Sequence, residues 1–321
     1  MHKKMKVEET NLEAMRAKKA AIKLGYYRDN FIDFIVPDVK KRDFIMHRGY
    51  WSRSEVFRGA IRAFVEKGGR QILSLGCGLD TLPFWTLEHW PEEKDLKFFE
   101  CDLLCVVKHK IEVVQKSEAF VGKLKELSGD LKVETAKIES LRYALFEGDL
   151  NKTAFLTEAF TKAGIDPSKP TLIISECVFV YLHPETIPQL RTILRDFFND
   201  SVLVDYEMIG NDSPFTKVML RNFAESGIPL LAIKEFPSIE AISQAFKDLN
   251  FKRVEVLSME QVYYDKLNPE ELKRISKLEW ADEFEEFNLM QSHYFVSITQ
   301  KGESEEGKAV TFEALKNQKE D

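Results

Sequence analysis

The sequence predicts a doubly wound α/β fold, a mostly parallel sheet with helices on both faces. Three observations predict it. Short apolar runs alternate with segments of helical period from residue 72 to residue 206, the rhythm of successive βαβ units. The first run, 72–75, leads straight into a glycine-rich turn, Gly76-Cys77-Gly78, at the place where such sheets hold ligands. The 321 residues are 44% hydrophobic and include 24 Phe, enough for the core of one large domain with insertions.

Each element has its own signal. Residues 12–24 are rich in Ala and Lys and read as a helix that ends at Gly25. An aromatic stretch follows, with Tyr26, Tyr27, Phe31 and Phe34. Ser52-Arg53-Ser54-Glu55 has the form of a capping box opening a second helix, with Val56, Ile61, Phe64 and Val65 inward and Gly68-Gly69 as its stop. Strands are expected at 72–75, 96–101, 143–147, 171–180 and 201–206, and helices at 108–127, around 154–163, and through Ile187, Leu190, Ile193, Leu194 and Phe197. Later strands, about 251–257 and 294–299, complete a seven-stranded sheet. Ser213-Pro214, Ser238 and Asn268-Pro269 each open a helix, the last a long one with Leu272, Ile275 and Leu278 inward. The expected layout is one domain: an N-terminal helical cover (1–69), a ligand-binding core (70–206), a helical insertion serving as a lid (207–250), C-terminal strands and helix (251–300), and a polar tail (301–321) that frays.

Composition narrows the function. A net charge of −7 disfavours a nucleic-acid partner, because phosphate binding usually demands a basic excess. No run of about 18 apolar residues occurs, so no membrane span is expected. The opening, residues 1–11, is charged and lacks an apolar signal core. Cys77, Cys101, Cys105 and Cys177 show no C-x-x-C spacing and read as free thiols of a reducing cytoplasm, with no metal site.

Ligands of an open parallel sheet bind beyond the carboxyl ends of its strands, so the polar residues there carry the chemistry. After the first strand, Gly76 and Gly78 let the backbone turn tightly and approach a ligand. A dinucleotide fingerprint would need a third glycine where Thr81 stands, which weakens a nicotinamide-cofactor reading. Asp102 ends the second strand, about 20 residues beyond the turn, placed to accept two ribose hydroxyls. Glu100 is the less favoured acid, and a solvated loop acid or helix cap is the plain alternative for Asp102. Asp149 ends the third strand, where it either accepts from an adenine amino group while Leu150 packs on the base or caps a helix. Glu176 is the most informative residue. A carboxylate in an apolar strand is costly unless partnered, either by a cationic ligand or by a lysine or arginine. Lys18, Lys19, Arg48 and Arg53 supply cations ahead of the sheet, and a guanidinium pairs well with a carboxylate.

Together these residues resemble the leucine carboxyl methyltransferases from about Lys18 to Thr299. The marks are Gly25-Tyr26-Tyr27, Arg48-Gly49-Tyr50-Trp51-Ser52-Arg53, Leu75-Gly76-Cys77-Gly78-Leu79-Asp80-Thr81, Phe99-Glu100-Cys101-Asp102, Gly148-Asp149-Leu150, Ser175-Glu176-Cys177-Val178-Phe179-Val180-Tyr181-Leu182 and Asp205-Tyr206-Glu207. Cys77 and Trp51 are mild departures. The resemblance implies the Rossmann-like sheet of class I S-adenosylmethionine-dependent methyltransferases. It also implies methylation of the C-terminal leucine carboxylate of the protein phosphatase 2A catalytic subunit, by a cytoplasmic monomer. By position, Lys18 and Arg53 resemble the cations near the cofactor's methionyl carboxylate, and Glu176 the acid near its amino group. Gly76 is similar to the glycine that contacts the cofactor, Asp102 to the ribose acid, and Asp149 with Leu150 to the adenine pair.

An α-carboxylate, with a pKa near ~3.5, is already ionised at neutral pH, so no general base is expected. Arg53 is expected mainly on the cofactor, with Tyr206 and Tyr181 orienting the acceptor. The rival readings are a related methyltransferase acting on a wybutosine-type tRNA base or on a small-molecule carboxylate or hydroxyl, a nicotinamide-dependent oxidoreductase, and a non-catalytic partner-binding protein. The tRNA enzymes carry a long additional C-terminal propeller, for which 321 residues leave no room, and the net acidity disfavours RNA.

Overall fold

The computed structural model describes residues 7–37, 39–280 and 284–317. The charged opening, residues 1–6, and the end of the tail, 318–321, lie outside the described residues. Three helices, α1 (Val7–Lys23), α2 (Ile32–Ile35) and α3 (Phe44–Glu66), precede the sheet. The expected capping box at Ser52 is not a helix start. Asp43 caps α3, its side chain accepting the Met46 amide at 2.9 Å, and Ser52 lies in mid-helix with its hydroxyl bonded back to the Gly49 carbonyl at 2.9 Å. The same spacing reads as a cap or as the buried face of an amphipathic helix, and Trp51 and Val56, both buried, make it the latter.

The alternating core follows as β1 (Gln71–Leu75), α4 (Leu82–His89), β2 (Lys97–Asp102), α5 (Leu104–Gln115), α6 (Glu118–Ser128), β3 (Lys132–Glu134), β4 (Lys137–Glu139), β5 (Tyr143–Glu147), α7 (Leu156–Lys162), β6 (Thr171–Glu176), α8 (Thr186–Phe197) and β7 (Ser201–Met208). The expected single helix over 108–127 is two, because the Ser117 hydroxyl accepts the Phe120 amide and starts α6 afresh. The strand expected over 171–180 stops at Glu176, because Cys177 takes a left-handed conformation, φ 56°, that turns the chain. Beyond β7 come α9 (Pro214–Glu225), α10 (Ile239–Asp248), β8 (Arg253–Ser258), α11 (Met259–Asp265), α12 (Pro269–Ile275), α13 (Glu285–Ser292), β9 (Tyr294–Lys301) and α14 (Glu305–Ala309). The long helix expected from Asn268 is the seven-residue α12.

Among the described residues the sheet has nine strands, in the order β3-β4-β5-β2-β1-β6-β7-β9-β8, not seven. The added pair is the β3–β4 hairpin, which extends the β5 edge antiparallel. Strands β5, β2, β1, β6 and β7 are parallel, and β9 runs antiparallel between β7 and β8. Strand order reverses at β1, which has β2 on one side and β6 on the other, so a cleft opens at its carboxyl end. Residue alternation supplies both faces. Ile72, Phe98, Leu172 and Val202 pack beneath α3, and Leu73, Phe99, Ile173 and Leu203 pack on the opposite side with α8 and α10.

The tail expected to fray from Lys301 packs instead. Val310, Phe312 and Leu315 are buried in the cluster under α3. The Arg253 guanidinium donates to the carbonyls of Gly307 at 3.0 Å and Val310 at 2.7 Å. Asp200 accepts the amides of Glu303 and Ser304 at 2.6 and 2.7 Å.

Buried acids whose pKa is raised, Asp205 and its neighbour Glu207 among them, make stability depend on pH. Asp205, wholly buried on β7, has its carboxyl pushed up to about 7 by burial, against the pull of Arg191 and Ser175. A carboxyl raised in the folded state keeps a proton the unfolded chain has shed. Its contribution is therefore intact below about pH 4 and is lost as pH rises through about 7. Denaturant melts are expected to show greater stability at about pH 5 than at about pH 8. Asp205→Asn should flatten that slope, and an unchanged slope in the variant contradicts the assignment.

Candidate active site

The carboxyl ends of β1, β2, β5 and β6, together with α1, enclose a cavity of about 450 Å³, within the range of small-molecule sites. Four carboxylates line it, Glu13, Asp102, Asp149 and Glu176, against one guanidinium, Arg53. Three of the four have cationic partners: Glu13 meets Arg16 and Arg42, Asp149 meets Lys152, and Glu176 meets Arg53 and Lys18.

The glycine turn forms the floor. Gly76, φ 62°, lines the cavity, and a Cβ there would sit 2.6 Å from the Val178 methyls, so only glycine lets the two segments meet. Gly78, expected beside the ligand, does not line this cavity. Its amide instead donates to Asp102 Oδ2 at 2.7 Å, and the Leu103 amide donates to Oδ1 at 2.7 Å. Asp102 thus reaches the cavity with one backbone donor on each oxygen, and the Cys77 thiol also lies within its reach. Burial raises its pKa, and the two amides work against that rise. Glu100, the less favoured acid, is wholly buried behind it, accepting from Lys110 at 2.8 Å and from the Tyr143 hydroxyl at 2.5 Å. Asp149 is partly exposed at the rim, where it accepts the Asn151 amide at 3.0 Å and pairs with Lys152 at 3.5 Å, while Leu150 is buried beside it.

Glu176 has the lysine and arginine partners weighed for it. It pairs with Arg53 and lies 3.1 Å from Lys18 Nζ. Lys18 also bonds Asp80 Oδ2 at 2.7 Å, so two acids share it. Burial works against its charge, but Asp80 and Glu176 outweigh burial and hold the ammonium above its ordinary range. Lys19 faces away, on the Val36 carbonyl at 2.8 Å and Asp33 at 2.7 Å. Arg48 is also removed from the site, stacked 5.0 Å over the Phe284 ring. Asp80 went unassigned in the sequence, although the glycine motif contains it.

The far end of the cavity is aromatic. Tyr181 lines it as expected, but Tyr206 does not. The Tyr206 ring lies one layer back, 5.0 Å from the Arg53 guanidinium and stacked on Tyr294 at 5.2 Å. Tyr294 and Tyr50 take the front positions. Tyr50 precedes Arg53 by one helical turn and was visible in the sequence as part of that run. Tyr294 opens a strand with no local mark. Burial raises the pKa of Tyr50, Tyr181 and Tyr294, so all three remain neutral hydroxyl donors at neutral pH. Among the described residues, no histidine lines the cavity.

The sheet order and the acid-bearing glycine cleft are those of a doubly wound, class I fold, and the family match makes the chain a methyltransferase of that type. The chain belongs to the leucine carboxyl methyltransferase family, whose model matches residues 7–194. A leucine carboxyl methyltransferase 1 homolog from Arabidopsis thaliana is 33% identical over 294 residues, 91% of this chain and 88% of that protein. The tRNA wybutosine-synthesizing protein 4 of Homo sapiens is 29% identical over 93% of this chain, but over only 44% of its own length. A crystal structure of a Thermobifida fusca protein assigned to the methyltransferases superposes with a TM-score of 0.53 at 16% identity. It covers 90% of this chain and 94% of that one, and it bears on the fold alone.

The residues present fit S-adenosylmethionine, the methyl donor of this class. The cavity carries carboxylates for its cationic centres, a buried acid oriented by backbone amides for its ribose diol, and a glycine without a Cβ for close approach.

Proposed function

We propose that this chain methylates the α-carboxylate of the C-terminal leucine of the protein phosphatase 2A catalytic subunit, forming a methyl ester. The observation that carries this reading is a cavity whose aromatic end offers the neutral hydroxyls of Tyr50, Tyr181 and Tyr294 as hydrogen-bond donors. Such a site suits an acceptor that is already ionised and needs no base. Family membership and the likeness to the Arabidopsis protein support the choice of carboxylate.

Bound S-adenosylmethionine supplies a methyl already activated by its sulfonium. Asp102 would accept both ribose hydroxyls, and Leu150 with Asp149 would meet the base. Gly76 would lie against the cofactor backbone. Glu176 would hold the methionyl ammonium, and Arg53 and Lys18 its carboxylate. Tyr181, Tyr294 and Tyr50 donate hydrogen bonds that orient the acceptor without neutralising it. A clamped cation there would blunt its nucleophilicity. Val178, Leu182, Met208 and Phe223 exclude water along the rest of the wall.

Incubation with labelled S-adenosylmethionine and the purified phosphatase should give a base-labile ester, and removal of the terminal leucine should abolish labelling. Base-stable label on lysine or arginine would overturn the reading. The likeness to the human wybutosine protein makes tRNA the second acceptor to test, and transfer to tRNA but not to the phosphatase would favour it.

Arg53 separates the two ends of the site. Arg53→Ala is expected to weaken S-adenosylhomocysteine binding by about tenfold or more, the worth of a charged hydrogen bond. The acceptor KM should stay within about threefold. A raised acceptor KM with intact cofactor affinity would move Arg53 to the acceptor.

A further inference from the structure

The run Asp205-Tyr206-Glu207 contains a buried acid to which the site described above gives no task. Glu207 has no exposed surface and does not line the cavity. Its Oε1 accepts the amides of Val178 and Phe179, each at 2.6 Å, and its Oε2 meets the Val180 amide at 3.5 Å. Three successive backbone donors therefore converge on one side chain, at the start of the short helical turn Phe179–Tyr181. Phe179 and Val180 are themselves buried, so without Glu207 these amides would face apolar surroundings unpaired.

The segment so held is also strained and tightly fitted. Cys177 sits at φ 56°, where a residue other than glycine or asparagine is disfavoured. Val178 packs into the space a Gly76 side chain would fill, and Tyr181 stands in the cavity wall. The strand on the other side is fixed by the Cys177 amide on the Tyr206 carbonyl at 2.8 Å. Asp205 on the same face of β7, Arg191 of α8 and Ser175 of β6 make up the polar surroundings of the two acids.

We infer that Glu207 is a positioning residue: by gathering the amides of Val178, Phe179 and Val180 it fixes the spacing between the glycine turn and Tyr181, and hence between methyl donor and acceptor. It touches neither ligand and acts through the loop. A displacement of about 1 Å between reacting groups costs on the order of 100-fold in rate, so the loop needs a tie of this kind.

The turnover part of this inference rests on the methyl-transfer reading. Glu207→Leu should lower kcat on the order of 100-fold while S-adenosylhomocysteine affinity stays within about threefold. Glu207→Gln keeps an oxygen of the same reach and should recover at least about tenfold of that loss. A Leu variant with normal kcat, or a Gln variant no better than the Leu variant, would overturn the assignment. A purely structural role would lower the folded fraction and the melting temperature without this split between kcat and affinity. Hydrogen exchange on the wild-type chain covers the case in which the Leu variant does not fold. The amides of 178–180 should exchange as slowly as those of β7, and rapid exchange there overturns the inference. That measurement needs no acceptor, so its failure is distinguishable from failure of the methylation reading.

Discussion

Glu176→Gln should weaken S-adenosylhomocysteine binding by about 100-fold or more, the largest effect expected of any single cavity residue. Glu176 is the one carboxylate shared by Lys18 and Arg53, and its side chain is only 12% exposed. A neutral amide leaves two buried cations facing one another, with Asp80 alone to compensate. Removing one partner of a buried ion pair costs about 3–5 kcal/mol, and an incoming ammonium would meet like charges where it now meets an acid. Calorimetric titration reads the result. Affinity within about tenfold of wild type would show that Glu176 serves the fold and not the ligand. Thermal melts alongside would separate loss of binding from loss of structure.

Lys110→Met should be the most destabilising single change in the cofactor-binding half, by about 3–5 kcal/mol. Lys110 has no exposed surface. Its ammonium lies 2.7 Å from Glu100 Oε2 and 2.7 Å from the Asp80 carbonyl, and 5.5 Å from the Phe84 ring centroid. Methionine fills the volume but strands the Glu100 carboxylate among apolar neighbours, with only the Tyr143 hydroxyl to meet it. Denaturant unfolding measures the loss. The double variant Lys110→Met with Glu100→Gln should recover part of it, because the cost lies in the charge left alone more than in the missing pair. A single variant as stable as wild type would mean that Glu100 is held mainly by Tyr143.

What the sequence revealed and what it hid follow from the range of the forces involved. Asp102 and Glu176 were legible because strand ends are local features, and an acid at a strand end stands out against apolar runs. The choice between Lys18 and Lys19 was not legible, since both lie on α1 and only the packing of α1 against the glycine turn sends Lys18 to Asp80 and Lys19 to Val36. Tyr206, expected to orient the acceptor, stands one layer behind the cavity wall. The pairing of β7 with β9 brings Tyr294 against it, and sequence alone does not say which of two neighbouring rings comes forward. The β3–β4 hairpin escaped notice because each strand has three residues, too few for alternation to register. The tail's polar composition concealed Val310, Phe312 and Leu315, whose spacing carries no regular period.

The placement of α1 ties the integrity of the cavity to the N-terminal helix. Thr10, Asn11, Glu13 and Ala14, from its first turns, form one wall of the cavity, whereas Lys18 and Lys19 anchor its later turns to the body of the molecule. Glu13 is held there by Arg16 and Arg42, and Asn11 packs against Gly78. A substitution that loosens α1 would therefore remove a wall of the cavity while leaving the sheet and the glycine bend in place.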